Sequence, residues 1–209
     1  MAIHSPSGPS VSVPAPPPGD RRLVVSFHGL APHTQRPCQE LLMLLAELGV
    51  PRASLFVAAP EGDARSILEC PFFLRWLRSL AEEGHEVRLR GNGAREERML
   101  AQAGLPANGV EYALAPGYLY LPREDARVAI STITFSTRGF LRRAFSPLAG
   151  RARFAASRRQ PILRVSVHPE DLYEHRVRRA LVSLLQRALA DREPVTCGEL
   201  ARAASPSHV

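Results

Sequence analysis

The sequence predicts an α/β protein with a parallel sheet, because short β-branched runs alternate with longer amphipathic runs from Arg21 onward. The chain has 209 residues, of which 45% are hydrophobic, so it is long enough to form one domain with its own core. Residues 1–20 contain six prolines and no aromatic residue, which predicts a flexible tail. We therefore expect a single domain over residues 21–203 and a short C-terminal tail over residues 204–209.

The first half of the domain has the pattern of three strands separated by two helices. We predict strands at residues 22–28, 53–59 and 85–90, and helices at residues 37–48 and 71–83. Leucines recur at helical spacing in the first helix and predict a buried stripe: Leu41, Leu44, Leu45 and Leu48. In the second helix we expect the apolar residues to face the core: Phe72, Phe73, Trp76, Leu77 and Leu80.

The end of the chain has an equally regular pattern. Residues 162–168 predict a strand, and residues 171–190 predict a helix with one apolar face: Val177, Leu181, Leu184, Leu185 and Ala188. Glu170, Asp171 and Glu174 would give this helix an acidic first turn, which suits the helix dipole. In the middle of the chain we predict a helix at residues 95–103 and strands at residues 110–115 and 128–135, while residues 138–159 show no clear period.

Two histidines end the first and last of these strands. In Val25-Ser26-Phe27-His28 and Val165-Ser166-Val167-His168, side chains alternate, so each histidine shares a polar face with a serine. Because α/β proteins place their sites at the C-terminal ends of parallel strands, we expect His28 and His168 to face one pocket. The same alternation places Glu86, Arg88 and Arg90 on that side. It turns His85 toward the helices as a packed, hydrogen-bonded residue.

The first strand and the loop after it resemble a known family. Residues Val24 to Thr34 (VVSFHGLAPHT) are similar to the motif Ser-[Ile/Phe]-His-Asp-[Val/Leu]-[Ser/Ala]-Pro-x-Thr. That motif belongs to a divergent branch of the polysaccharide deacetylases with NodB homology. Further similarities follow in the same order at residues 45–51, 55–60, 76–87, 162–171 and 184–196. The resemblance covers residues 22–91 and 138–200, whereas residues 91–137 match poorly and look shortened.

This resemblance implies a distorted (β/α)7 barrel, complete or incomplete, of the kind that removes acetyl groups from amino sugars with a divalent metal such as zinc. The family holds its metal with one Asp and two His, and these positions are Gly29, Arg90 and Ala94 here. Since none of the three is retained and arginine cannot deprotonate, we expect no metal cofactor and weak or absent metal-dependent activity. His28 lies at the position of the family's catalytic base and His168 at that of its general acid.

Each candidate site residue has two interpretations. His28 and His168 are either an acid/base pair or scaffold residues that hydrogen-bond and catalyse nothing. Arg90, Arg88 and Asp171 are candidate substrate-binding residues, since guanidinium groups grip carboxylates and phosphates. The alternative for the arginines is a salt bridge to Glu86 or Asp171. His33, in the loop after the first strand, could replace a lost metal ligand, although we do not favour it.

The net charge of +7 arises in one stretch of the chain. All 27 basic residues are arginine, and nine of them lie between Asp125 and Glu170, where no acid occurs. Four phenylalanines are interleaved, so residues 126–169 are a candidate polyanion-binding module: Phe135, Phe140, Phe145 and Phe154. The phenylalanines have no regular spacing, and we therefore disfavour nucleic acid as the partner. An acetylated sugar or an anionic small molecule is the expected partner.

Location and cysteine use complete the sequence-based expectations. No apolar run approaches the ~20 residues that span a bilayer, and the N-terminus lacks the pattern of a secretory signal, so we expect a cytoplasmic protein. Cys38, Cys70 and Cys197 lie far apart and form no Cys-x-x-Cys pair, which predicts reduced, packed thiols. The oligomeric state stays open.

Overall fold

The computed structural model describes the chain at residues 11–12, 20–57, 69–89, 101–106, 112–115, 117–134, 154, 157, 160–168 and 173–205. Its strands, in chain order, are β1 (Val11–Ser12), β2 (Arg22–Leu30), β3 (Ser54–Val57), β4 (Glu86–Leu89), β5 (Ala113–Ala115), β6 (Tyr118–Leu121), β7 (Ala126–Ala129), β8 (Ser131–Thr134), β9 (Ile162–Val167) and β10 (Glu193–Val195). Its helices are a 3₁₀ turn (Pro32–Thr34), α1 (Gln35–Glu47), α2 (Pro71–Glu82), α3 (His175–Leu189) and α4 (Cys197–Ala204).

A parallel sheet of six strands forms the centre of the molecule. Its main path has the order β4-β3-β2-β9-β8, and β10 also pairs with β2. Because β9 runs along one edge of β2, the other edge is shared: β10 pairs with Arg22 to Val24, and β3 pairs with Ser26 to Leu30. The predicted first and last strands are therefore direct neighbours, with Ser26 opposite Ser166.

The α/β class is confirmed, whereas the barrel stays a prediction. All pairings of the large sheet are parallel, as the alternation of strands and helices indicated. Within the described ranges, β4 and β8 each pair with one neighbour, so the sheet has two ends. In the same ranges, none of the helices combines the length and the hydropathy needed to cross a membrane.

One face of the sheet packs against α1, α2 and α3 to form the first core. Val25, Phe27 and Val165 point into this core, as strand alternation predicts. The expected apolar face of α3 is fully confirmed: Val177, Leu181, Leu184, Leu185 and Ala188 are all buried. In α1, Leu41 and Leu45 are buried, and Leu44 and Leu48 are partly buried against the same core.

The prediction that Phe72 faces the core is wrong. Its side chain is 78% exposed, and Leu74 is buried in its place. The reason is helix geometry, because the face centred on Phe73, Leu77 and Leu80 leaves Phe72 on the far side of α2. There the Arg75 guanidinium lies 5.6 Å from the centre of the phenyl ring.

The start of α3 also differs from the prediction. The helix begins at His175, because the backbone of Glu174 is extended (φ −91°, ψ 101°) and forms its N-cap. The acidic first turn predicted from Glu174 is therefore not formed, and the first turn contains no acid. Glu170 and Asp171 lie outside the described residues.

The other face of the sheet packs against a small second sheet and α4. This second sheet has the order β1-β7-β6-β5, and its antiparallel part buries Leu119, Leu121 and Val128 against Leu200 of α4. Strand β6 and helix α4 were not predicted from the sequence. Strand β1 lies within the predicted tail and pairs with β7.

The prediction of one strand at residues 128–135 is wrong. The chain forms β7 in the small sheet, leaves strand geometry at Ile130, and continues as β8 in the parallel sheet. The Ile130 amide donates to the Gly117 carbonyl at 2.8 Å, which extends the register of β6 and β7 by one residue before the chain changes layer.

Candidate functional site

The strand register brings polar side chains into two rows on the second face of the parallel sheet. One row crosses five strands: Glu86, Ser54, Ser26, Ser166 and Thr134 are successive partners. The next row, nearer the C-terminal ends of the strands, contains Arg88, Phe56 and His28. We call the cluster of His28, Phe56, Arg88, Arg164 and His168 the strand-end site.

The two predicted histidines meet in this site. Their ring centres are 5.6 Å apart, and the ring planes differ by 30°. His28 also stacks on Phe56, with ring centres 4.8 Å apart and planes within 5° of parallel. Both histidines are half-buried. The structure thus brings together the pair that strand alternation pointed to, and a catalytic role for either histidine stays a prediction.

Arg164 determines the state of the His28 ring. Its side chain is buried, with Nε donating to Ser26 Oγ at 2.9 Å and Nη2 donating to His28 Nε2 at 2.9 Å. A guanidinium group has donors only, so His28 Nε2 must accept with its lone pair. His28 is therefore the neutral tautomer that carries its proton on Nδ1. The lone pair that a general base would use is occupied by Arg164.

A buried carboxylate lies beside the strand-end site. Glu86 accepts hydrogen bonds from Ser54 Oγ at 2.7 Å, Tyr112 Oη at 2.7 Å and the Gly198 amide at 2.9 Å. Burial, together with the nearby Cys197 and Glu86, raises the pKa of Tyr112 well above its usual value. Arg88 lies over the Tyr112 ring, 4.5 Å from its centre. The expected direction of Glu86 and Arg88, away from the helices, is confirmed.

The cysteines form no reactive group in the structure. Burial raises the pKa of Cys197 to about 12, and burial raises that of Cys38 to about 11. Both thiols are thus protonated at neutral pH and behave as packed apolar groups. All three cysteines are free thiols.

The remaining candidate residues have distinct outcomes. His85 is half-buried, and its Nδ1 accepts a hydrogen bond from the Ala53 amide at 3.1 Å, which confirms the predicted structural contact. His33 is exposed in the 3₁₀ turn. Gly29 has a left-handed backbone, with φ of 85°. Arg90, Ala94 and Asp171 lie outside the described residues, so their predicted roles stay predictions.

The described part of the arginine-rich stretch is not a charged surface. Arg164 is 7% exposed and holds His28, while Arg127 is half-buried and lies 5.1 Å from the centre of the Tyr118 ring. Phe154 is buried and has no face open for stacking on a base. The other arginines and phenylalanines of this stretch lie outside the described residues.

Sequence reasoning missed Arg164, Phe56 and Tyr112 as members or neighbours of the site. For Arg164 the signal was available, because strand alternation places it on the same face as Ser166 and His168. Phe56 follows from the register with His28, which requires knowledge of the strand order. Tyr112 precedes β5 in the poorly matching middle of the chain and had no usable signal.

The residues at this site do not fit the family's metal. Gly29 offers no side chain, and arginine and alanine stand at the other two ligand positions, residues 90 and 94. Over the described stretches, no group of three or more His, Cys, Asp or Glu side chains is arranged to hold a metal ion. Comparison of the sequence with protein-family models and with curated proteins gives no match.

Proposed function

We propose that this chain is a divergent polysaccharide-deacetylase-like protein whose metal site is lost and whose strand-end site binds an acetylated sugar or an anionic relative. The observation that carries the proposal is the contact between His28 and His168, whose ring centres are 5.6 Å apart. These are the positions of the base and the acid of the family that the sequence resembles. Their meeting at the C-terminal ends of neighbouring strands is the expectation that the resemblance makes.

The arrangement of layers supports a barrel of the deacetylase type, open or closed. All six strands of the large sheet are parallel, three helices cover one face, and the polar rows lie on the other. In a barrel the helices lie outside and the opposite face of the sheet points inward. The order β2, α1, β3, α2 and β4 along the chain agrees with the order of the resembling motifs.

The site is better suited to binding than to metal-dependent hydrolysis. A deacetylase needs a base that can take a proton from water, and the His28 lone pair is engaged by Arg164. The stacked rings of His28 and Phe56 provide a flat apolar surface next to polar donors. Pockets that bind small molecules combine aromatic surface with a few placed polar groups. We therefore assign sugar binding as the main role.

Calorimetric titration with oligomers of N-acetylglucosamine tests this function. We expect saturable binding, and we expect His168→Ala to weaken it by about tenfold or more, because one of the two stacked rings is removed. His33→Ala changes an exposed histidine outside the site and is the matched control. The same preparation should hold no stoichiometric zinc and release no acetate above background. Stoichiometric zinc with metal-dependent release of acetate contradicts the loss of the metal site, and absence of binding contradicts the sugar-binding role.

The contact between two imidazole rings also favours a second candidate, a metal-independent hydrolase of amides or esters. In that mechanism His28 is the base, His168 is the acid, and Arg90 stabilises the oxyanion. His28 could act only if Arg164 released Nε2, which makes this the less favoured function. Its test is an activity that chelators leave unchanged and that His28→Ala and His168→Ala each abolish.

A third candidate, polyanion binding by residues 126–169, has less support. Arg164 and Phe154 are buried and cannot contact a polymer at the surface. The candidate requires affinity for DNA, RNA or heparin that falls steeply with salt concentration. Undetectable or salt-independent binding removes it.

A further inference from the structure

The Arg164 guanidinium carries a buried positive charge that the described residues do not balance. The side chain is 7% exposed, and its hydrogen bonds in the described structure go to two neutral groups, Ser26 Oγ and His28 Nε2. Among the ion pairs of the described residues, none includes Arg164. Buried charges in proteins are ordinarily paired, because desolvation of an isolated charge costs several kcal/mol.

The two acidic groups that interact electrostatically with Arg164 do not supply a negative charge at neutral pH. The groups that interact electrostatically with Arg164 are Cys197 and Tyr112. Burial raises the pKa of Cys197 to about 12 and holds that of Tyr112 well above its usual value, so both are uncharged. Arg164 is charged throughout this range. Among the described residues, neither of these two groups therefore offsets the positive charge of Arg164.

The geometry leaves one edge of the guanidinium for a ligand. Nε and Nη2 form one edge of the group, and this edge is used by Ser26 and His28. The opposite edge, formed by Nη1 and the second hydrogen of Nη2, makes no hydrogen bond to the described residues. Two parallel N–H groups in this arrangement match the two oxygens of a carboxylate.

A second polar atom without a partner lies on the neighbouring strand. Thr132 is the register partner of Arg164 in β8, so the two side chains project from the same face of the sheet. The Thr132 hydroxyl oxygen is buried and has no hydrogen-bond partner within the described structure. A buried hydroxyl without a partner is costly, and a ligand oxygen would satisfy it.

We infer that Arg164 and Thr132 form a subsite for a carboxylate carried by the ligand of the strand-end site. With Arg88 and Arg164 positive and Glu86 negative, the described residues carry one net positive charge, which balances a monoanion such as a carboxylate better than a phosphate dianion. The ligand class is therefore a sugar acid, such as a uronic acid. The sugar part of this statement rests on the proposed function, whereas the carboxylate part rests on the charge and geometry of Arg164.

Titration with three probes tests the subsite: glucuronate, neutral N-acetylglucosamine and plain acetate. We expect glucuronate to bind at least about tenfold more tightly than N-acetylglucosamine, and Arg164→Met to remove this difference. Thr132→Val should weaken glucuronate alone. Arg187→Met removes an exposed arginine that hydrogen-bonds Ser183 on α3, and we expect it to behave as wild type.

Circular dichroism verifies that each variant is folded. If Arg164→Met does not fold, Arg164→Lys replaces it in the test. This variant keeps the positive charge but lacks the two parallel N–H groups, so it should lose most of the preference for glucuronate over N-acetylglucosamine.

The outcomes separate this inference from the proposed function. If the protein binds N-acetylglucosamine and shows no preference for glucuronate, the carboxylate subsite is wrong and the sugar-binding role stands. The same conclusion follows if the preference for glucuronate survives the Arg164 and Thr132 variants. Binding of acetate that depends on Arg164, with no binding of either sugar, supports the subsite and overturns the sugar-binding role. If none of the three probes binds to the wild-type protein, both are wrong.

Discussion

At His28, the hydrogen bond from Arg164 occupies the Nε2 atom of the ring. The ring is held by Phe56 on its face and by Arg164 at Nε2, so its position and tautomer are both defined in the absence of a ligand. The contact with Arg164 therefore fits the proposed binding role of this pair better than an acid/base role.

Strand alternation predicted which side chains point into this site, and it could not predict their contacts. His28, His168, Glu86 and Arg88 lie on the expected face, since a period of two is a property of any strand. The hydrogen bond from Arg164 to His28 depends on β9 lying beside β2, and the sequence does not contain strand order. Metal loss, in contrast, was inferred from residue type alone.

His85 makes a prediction about pH at the residue scale. Burial lowers the pKa of His85, and the charge of Glu83 opposes this only in part. Below about pH 6.5 the unfolded chain therefore binds the proton more readily than the folded protein does. The stabilising contribution of the neutral ring is complete above that pH and is lost as the pH falls through the folded value.

We expect His85→Asn to reduce the loss of stability between about pH 7.5 and about pH 5. Urea unfolding at these two pH values, on either side of the titration, measures the change. The Asn Oδ1 atom can still accept the hydrogen bond from the Ala53 amide, and the side chain does not titrate. His33→Asn replaces an exposed histidine and is the control, which should keep the wild-type pH dependence. An unchanged slope in His85→Asn would show that this histidine does not contribute to acid sensitivity.

At the scale of elements, α4 is joined to the sheet through its first turn. Thr196 Oγ1 accepts from the Glu199 amide at 3.1 Å, and Glu199 Oε2 accepts from the Thr196 amide at 2.7 Å. Glu86 reaches across from β4 and accepts from the Gly198 amide. A carboxylate at a helix N-terminus satisfies an amide that the helix itself leaves unpaired.

Gly198→Ala tests this attachment. A Cβ atom at position 198 would lie 2.8 Å from Glu86 Oε1, and that oxygen belongs to a buried side chain held by three hydrogen bonds. We expect the variant to lower the free energy of unfolding by about 1–3 kcal/mol, although alanine is the better helix former. Chemical denaturation measures the change.

Two further variants make this test specific. Ala203→Gly, at an exposed position of α4, reports the cost of glycine in the helix without a clash, about 1 kcal/mol. In a Glu86→Ala background, Gly198→Ala should no longer destabilise the protein, because the clashing oxygen is absent. A cost that is the same in both backgrounds contradicts a clash between the two positions.

The sequence analysis succeeded for the long helices and failed for the short strands between residues 118 and 134. The face of α3 was correct because 15 residues of helix repeat the apolar period several times. Strands β6, β7 and β8 have four residues each, too few to show a period, and the change of layer at Ile130 was read as one continuous strand. Helix α4 could have been found, because Thr196 and Glu199 have the spacing of a capping box.

At the scale of the whole molecule, the parallel sheet separates two cores. The first lies under α1, α2 and α3, and the second lies under the small sheet and α4. The leucine stripes of the long helices made the first core predictable, whereas the second is assembled from segments far apart in the chain. The strand-end site belongs to the second side, so its geometry depends on the part of the fold that the sequence indicated least.

The two cores share one sheet, and we therefore expect them to unfold together. Leu41 in α1 belongs to the first core and Leu119 in β6 to the second, and both are fully buried. Leu41→Ala and Leu119→Ala should each lower the free energy of unfolding by about 2–5 kcal/mol, through lost burial and the cavity left behind. The single tryptophan, Trp76 in α2, lies on the side of the first core and reports on it by fluorescence.

The decisive comparison is the effect of Leu119→Ala on the Trp76 signal. If the molecule is one cooperative unit, the Trp76 transition in this variant shifts to lower urea concentration together with the circular dichroism signal, as it does in Leu41→Ala. If the small sheet is an independent unit, Leu119→Ala leaves the Trp76 transition at its wild-type midpoint and splits the two signals. In the cooperative case a ligand bound at the strand-end site also stabilises the distant helix layer, because binding to the folded state raises the stability of the whole unit.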